Sequence, residues 1–330
     1  HRIPELDLMS VFTPLSNEEI AQFVSRFDVG DFIDAQGVSG GSENTNYFVD
    51  CSAGSYVLTL VERGPSADLP FFISLLDCLH NAELPVPYAI ADRDGTALHT
   101  LKNRPALLQP KLTGNHVDDV TARQCTALGA MLAKLHQSAC DLKRTSDRGP
   151  DWTVQKALSF LDREWRDHRS WLEPSLLQLQ EWLALPDREN PATTLPTTVI
   201  HGDLFRDNVL FDGETITGVI DFYNAASGWT LFDIAVCVND WCVDSGDKFS
   251  LNAERTLALL TGYGNTRPFN AEEQACWQKM LQLAALRFWV SRQQYVLEHK
   301  GQQGILVKDP GYFHRVMQMH VQGNDIVELP

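Results

Sequence analysis

No stretch of this 330-residue chain approaches the roughly 18–20 consecutive apolar residues that a membrane-spanning helix requires, so no helical membrane span is expected. Positive charge is scarce: 27 Lys and Arg stand against 43 Asp and Glu, for a formal net charge of −16. Such a surface repels phosphate backbones, and no block of Lys and Arg reverses the field locally, which argues against nucleic acid as a partner. The seven cysteines are odd in number and include no C-x-x-C pair. Several, such as Cys125 and Cys237, sit inside apolar helical patterns, so reduced, buried thiols in a cytoplasmic protein are expected rather than disulfides or zinc. The first eight residues lack the basic start and apolar core of a signal peptide, and Met9-Ser10-Val11-Phe12 fits a natural start. There is no internal repeat, no low-complexity tract and no G-x-x-x-x-G-K-[ST], the last of which disfavours a P-loop NTPase.

What is present is the composition of a globular protein, 44% apolar and 21% charged. Ser16-Asn17-Glu18-Glu19 followed by Ile20, Phe23, Val24 and Phe27 predicts a capped amphipathic helix. Short β-like runs follow at 33–38, 47–51 and 56–62, then a helix at 71–79 stopped by Leu84-Pro85-Val86-Pro87, then strands near 97–101 and 105–109. From residue 120 the period becomes helical: Leu128, Met131, Leu132 and Leu135 share one face, as do Leu158, Leu161 and Trp165. Further helices are expected at 176–185, 231–243, 253–261 and 272–299, with a β island at 198–201, 209–211 and 216–221. The fold class expected is α+β, with a small antiparallel sheet at 1–109 and a larger, mostly helical part at 110–330 carrying an embedded hairpin. Pro110 and Gly114 mark the break between them.

Residues 198–222 carry the chemistry. Phosphoryl transfer to an alcohol needs the hydroxyl aimed in line at phosphorus, its proton accepted and the phosphate charge neutralised by metal. Asp203-x-x-x-x-Asn208 has the spacing of the protein-kinase catalytic loop, and Asp221-Phe222 stands where Asp-Phe-Gly would, at the end of an apolar run. These supply a base, Asp203, and two metal ligands, Asn208 and Asp221, for an ATP-dependent kinase using Mg²⁺. His201 is better suited to orienting the loop by hydrogen bonds than to proton transfer, and Asp212-Gly213 reads as a hairpin turn. A glycosidase-type carboxylate pair, Asp203 with Asp207, leaves Asn208 and Asp221 without a role. Upstream, a Gly- and Ser-rich segment from Gly37 to Asn46 offers backbone N–H groups to phosphates.

Together His201-Gly202-Asp203-Leu204, Asn208, Val219-Ile220-Asp221-Phe222 and Leu132-Ala133-Lys134-Leu135-His136 resemble the aminoglycoside-phosphotransferase and choline-kinase-like superfamily, which has a two-lobed protein-kinase-like fold. Within it, Gly40-Gly41-Ser42-Glu43-Asn44, Asp68-Leu69-Pro70-Phe71-Phe72 and Pro105-Ala106-Leu107-Leu108-Gln109-Pro110 are most similar to bacterial homoserine kinases. The resemblance implies ATP-dependent phosphorylation of L-homoserine to O-phosphohomoserine in threonine biosynthesis. It implies nucleotide contacts from Ser39, Gly40, Gly41, Ser42, Asn44 and Asn46 over the phosphates, and from Gln109, Lys111 and Leu112 at the adenine. Asp233 is implied as a structural brace. One departure stands out: Thr59 occupies the usual third-strand lysine position and Phe72 falls near its glutamate partner, leaving Arg63 or Lys111 to meet the α/β-phosphates.

A compact amino acid asks for an anion site and a cation site near Asp203. Arg206, Arg287 and Arg292 are the candidates for its carboxylate, Asp207, Asp240 and Asp244 for its ammonium, with Asn224 and Trp229 as further lining. The alternatives are a same-fold kinase for another small alcohol (choline, an aminoglycoside, methylthioribose or a hydroxy-amino acid) and a non-catalytic nucleotide-binding module.

Overall fold

Ser16 begins the first helix as its sequence predicts: its hydroxyl accepts from the N–H of Glu19, and the Glu19 carboxylate accepts from the N–H of Ser16. The computed structural model describes residues 13–38, 44–62, 66–139, 141–187, 189–300, 309–323 and 327–330. These fall into two compact units, His1–Thr113 with Gly218–Ile220, and Gly114–Thr217 with Asp221–Pro330.

In the first unit, α1 (Asn17–Val24) precedes three strands, β1 (Phe32–Gly37), β2 (Thr45–Cys51) and β3 (Gly54–Leu60). After them come α2 (Leu69–Asn81), β4 (His99–Leu101) and β5 (Arg104–Pro110). The strands form one antiparallel sheet in the order β1-β2-β3-β5-β4. Side chains alternate across it. Tyr47, Val49, Leu58, Leu60, Ala106 and Leu108 point to one face, where Ile20, Phe23 and Val24 of α1 pack with them into a dry core. Each such side chain contributes about 1.5–3 kcal/mol by leaving water, which fixes the register far more strongly than strand propensity does. Asn46, Thr59 and Gln109 occupy the other face.

The second unit starts with α3 (Ala122–Ser138), α4 (Pro150–Phe160) and α5 (Arg169–Leu183). Short strands follow, β6 (Thr197–Ile200), β7 (Val209–Asp212), β8 (Thr215–Val219, whose last two residues are counted with the first unit) and β9 (Ala226–Trp229), and then α6 (Thr230–Trp241). The hairpin strands β10 (Val243–Ser245) and β11 (Phe249–Leu251) lead to α7 (Ala253–Gly264), α8 (Ala271–Glu298) and α9 (Gly311–Gln322). β6 pairs with β9, and β7 with β8. α3 and α7 cross closely because each offers a glycine: a Cβ on Gly129 would lie 2.1 Å from the Leu259 carbonyl oxygen, and one on Gly262 would lie 2.2 Å from that of Thr126.

Several expectations need correction. The helix through Leu158 ends at Phe160, so Leu161 and Trp165 are buried from the turns that follow rather than from a helical face. β9, the β10–β11 hairpin and α9 were not foreseen. β9 reads Ala-Ser-Gly-Trp, with no apolar alternation, and exists through its pairing with β6. Cys51, Cys125, Cys237, Cys242 and Cys276 are free and buried as expected, whereas Cys78 is disulfide-bonded. Among the described residues no helix is long and apolar enough to cross a membrane.

Candidate active site

The site is built around the loop that leaves β6. His201 is fully buried and Gly202 has φ +77°, a left-handed conformation that glycine adopts without strain. A Cβ there would also meet the Asn224 carbonyl oxygen at 3.1 Å. The loop therefore lies directly against the segment that begins at Asp221. The Asn224 Nδ2 donates to Asp203 Oδ2 at 3.2 Å, and the Asn208 Nδ2 donates to the Asp203 carbonyl at 2.7 Å. The rings of His201 and Phe222 sit 4.6 Å apart beneath them. Asp221 itself has φ +62° and ψ +62°. A non-glycine residue held there costs about 1–2 kcal/mol, a strain typical of functional turns.

One face of α6 fixes this loop. Asp233, Cys237, Asp240 and Trp241 recur at helical spacing and meet successive loop residues. The Asp233 carboxylate accepts from the backbone N–H groups of His201 and Gly202, both at 2.8 Å, and from His136 Nε2 at 3.0 Å. His136 Nδ1 meets the Tyr263 hydroxyl at 2.8 Å. Burial pushes the Asp233 carboxyl up, but the His136 contact and the Gly202 N–H outweigh it and hold the group below its ordinary value. The brace expected at Asp233 is thus present. Asp240 accepts from the Arg206 N–H at 2.8 Å, and the Trp241 indole N–H donates to the Leu204 carbonyl at 3.0 Å. His201 orients the loop too, its Nδ1 accepting from the Asp203 N–H at 3.3 Å.

The other predicted residues are distributed unevenly. Arg206 and Asp240, proposed for opposite ends of an amino acid, pair with each other at 3.4 Å. Burial raises the Asp240 carboxyl and Arg206 works against it. Asp244 is taken by Arg255 and Asn252. Trp229 pairs with Thr197 at the end of the β6–β9 ladder remote from His201, and its ring lies 6.1 Å from that of Trp182. Asp207 is exposed on the loop. Trp289 stacks on Trp165 at 3.8 Å.

On the first unit's sheet, Thr59 is buried and its hydroxyl donates to Asn46 Oδ1 at 2.7 Å, with Gln109 Oε1 at 3.3 Å. Gln109 Nε2 donates in turn to the Pro87 carbonyl. A neutral polar row therefore spans β2, β3 and β5 where a lysine was the expected family feature. Asn44 accepts from the Glu62 N–H at 3.2 Å. Lys111 places its ammonium 3.9 Å from the Phe48 ring centroid, and Leu112 is half-buried. Ser39, Gly40, Gly41, Ser42 and Arg63 lie outside the described residues.

Asn208 and Asp221 fit a hard divalent cation. The amide nitrogen of Asn208 is occupied by the Asp203 carbonyl, which leaves its side-chain oxygen as the atom that could serve as a ligand, and Asp221 would add a carboxylate oxygen. Mg²⁺ characteristically takes one or two such protein oxygens and completes its shell with phosphate and water.

Residues 34–269 match the model of the APH phosphotransferase enzyme family. The chain is 46% identical to the homoserine kinase of Pseudomonas aeruginosa strain LESB58 over 98% of its own length and 99% of that protein. Among solved structures, it resembles spectinomycin phosphotransferase bound to ADP and spectinomycin, with a TM-score of 0.68 at 15% identity over 93% of this chain and 98% of that one. An amicoumacin kinase bound to AMP-PNP and Ca²⁺ gives a TM-score of 0.68 at 14% identity, covering 94% and 95%. At these identities the structural likeness speaks to fold alone: the α+β kinase-like fold, with its five-stranded antiparallel sheet followed by a mainly helical part.

Proposed function

The chain belongs to the APH phosphotransferase enzyme family, and from that membership we propose that Asp203 takes the hydroxyl proton of L-homoserine as the γ-phosphoryl group of ATP is transferred to its side-chain oxygen. The activity is that of a homoserine kinase, an ATP-dependent phosphotransferase, as in the relative matched from end to end. The observation that supports the residue roles is the position of Asp203, whose carboxylate is oriented by Asn224 while its backbone is tied to Asn208.

In this reading the loop acts by positioning. Asp203 meets the acceptor hydroxyl and receives its proton, and the α6 contacts keep the carboxylate from drifting out of line. Asn208 and Asp221 would hold Mg²⁺, which when bound neutralises phosphate charge. Nucleotide binding is assigned to the N-terminal part of the chain, residues 1–109, through Asn44, Asn46, Thr59, Gln109 and residues 39–42, with Lys111 and Leu112 just beyond it. Chemistry and acceptor binding are assigned to residues 110–330. The cytoplasm, where ATP is available, is the compartment this assignment implies.

The test is ADP release by the purified protein with Mg²⁺, ATP and one alcohol at a time. L-Homoserine should give the highest kcat/KM. ADP formation no faster than the water blank with L-homoserine, alongside turnover of choline or spectinomycin, would overturn the acceptor assignment.

A further inference from the structure

Among the described residues of the second unit, partly buried arginines such as Arg206, Arg255 and Arg267 each have a carboxylate: Arg206 has Asp240, Arg255 has Asp244 and Arg267 has Glu273. The partly buried Arg287 and the exposed Arg148 differ. Arg287 of α8 and Arg148, two residues before α4, hold their guanidinium carbons 5.5 and 5.9 Å from the centroid of the same ring, Trp152. Arg287 Nε donates to the Arg148 carbonyl at 3.3 Å, and a terminal nitrogen contacts the Ser291 hydroxyl. No carboxylate among the described residues forms an ion pair with either arginine. Arg292, the third candidate for an anion, is instead committed to the Asp309 carbonyl at 2.9 Å and to the Phe313 ring at 4.5 Å.

We infer that Arg287 and Arg148, stacked over Trp152, bind the α-carboxylate of the acceptor amino acid. The inference rests on the homoserine reading above and names the part of the site that recognises its amino-acid end. Two like charges held against one aromatic ring repel each other, and an incoming anion relieves that repulsion. A guanidinium fork matches the two oxygens of a carboxylate, and the indole face restricts how the fork can turn. Phe288, next to Arg287 on α8, packs its ring 4.6 Å from that of Phe205, two residues after Asp203, which brings this part of α8 to the loop of the proposed base. Burial, then the charge of Arg148, lowers Arg287 to about 10, with Asp203 opposing, so it remains a cation at neutral pH. Holding the carboxylate there leaves the side-chain hydroxyl as the end that approaches Asp203.

The decisive comparison is L-homoserine against L-homoserine amide, which keeps the hydroxyl and loses the negative charge. Wild-type enzyme should prefer homoserine in kcat/KM by on the order of 10- to 150-fold, the range of a charge-assisted hydrogen bond. In Arg287→Met that ratio should fall towards one, chiefly through a higher KM for homoserine. Arg287→Lys should recover part of the preference, and Arg148→Met, at an exposed position, should lose part of it without unfolding the protein. Equal losses on both acceptors, or an unchanged ratio in the Met variants, would overturn the assignment. Wild-type turnover of homoserine separately checks the acceptor itself, so the two ideas fail in different lanes of one assay.

Discussion

Asp203 owes its position to neighbours rather than to its own backbone. Asn224 orients one carboxylate oxygen and Asn208 anchors the Asp203 carbonyl, so replacing the carboxylate should remove chemistry and little else. Asp203→Ala is expected to lower kcat by at least about 10²-fold, the range of a lost general base. ATP affinity and urea stability should stay near wild type; unchanged turnover would remove Asp203 from its role. A second residue-scale prediction concerns Thr59, which is 4% exposed and sits in a neutral hydrogen-bonded row with Asn46 and Gln109. Thr59→Lys should bring no gain in activity and should cost about 2 kcal/mol or more in urea unfolding, because no carboxylate partner is present in that row. Greater stability in that variant would refute the account. The contact of Asn208 with Asp203 was legible in the sequence because its spacing is local. The pairing of Arg206 with Asp240 was not, since the two are 34 residues apart and only the fold brings them together.

At the scale of the element, α6 is the frame of the loop that carries Asp203. Its Asp233, Asp240 and Trp241 each satisfy a loop backbone group, and Asp233 satisfies two. Asp233→Ala would leave two backbone N–H groups and His136 without their acceptor in a dry site, a loss of about 3–5 kcal/mol measurable by urea unfolding. The pH dependence has a definite sign. The folded-state pKa of Asp233 is held below its ordinary 3.8, so its contribution is complete above that value and disappears as pH falls through the lower one. Asp233→Asn should therefore show a flatter stability curve than wild type below about pH 4, and parallel curves would contradict this. The α6 stripe was present in the sequence as polar and aromatic residues at helical spacing in an otherwise apolar helix. Asp233 was read as a brace, but Asp240 was read as a site for the substrate ammonium, because the loop it serves lies elsewhere in the chain. α9 was also within reach, since Phe313, Val316, Met317 and His320 recur at helical spacing. β9 was not, because four small or aromatic residues carry no pattern until β6 pairs with them.

For the whole molecule, acid should act through buried histidines as well as carboxylates. His320 is fully buried on α9 and meets Asn239 Oδ1 at 2.7 Å; burial lowers its pKa to about 3. His314 lies 4.2 Å from His168 and within a cluster formed with Trp171 and Trp289. Burial, then His168 and Arg315, lowers His314 to about 4, while Asp309 opposes; His168 is lowered by burial against the pull of Asp167. A histidine whose folded pKa is depressed binds protons more readily when unfolded, so stability falls as pH drops below about 6.5 and continues to fall until the folded pKa is reached. His320 alone corresponds to about 2–3 kcal/mol between pH 6.5 and 4.5, and the partly buried His314 to about 1–2 kcal/mol after allowance for solvent screening. Equilibrium urea unfolding of wild type should thus lose several kcal/mol across that interval. His314→Phe keeps a ring against Trp171 and Trp289 but cannot be protonated, so its curve should be flatter by about 1–2 kcal/mol. If the two curves run parallel from pH 7 to 4.5, the histidine pair contributes nothing to the acid sensitivity of the fold.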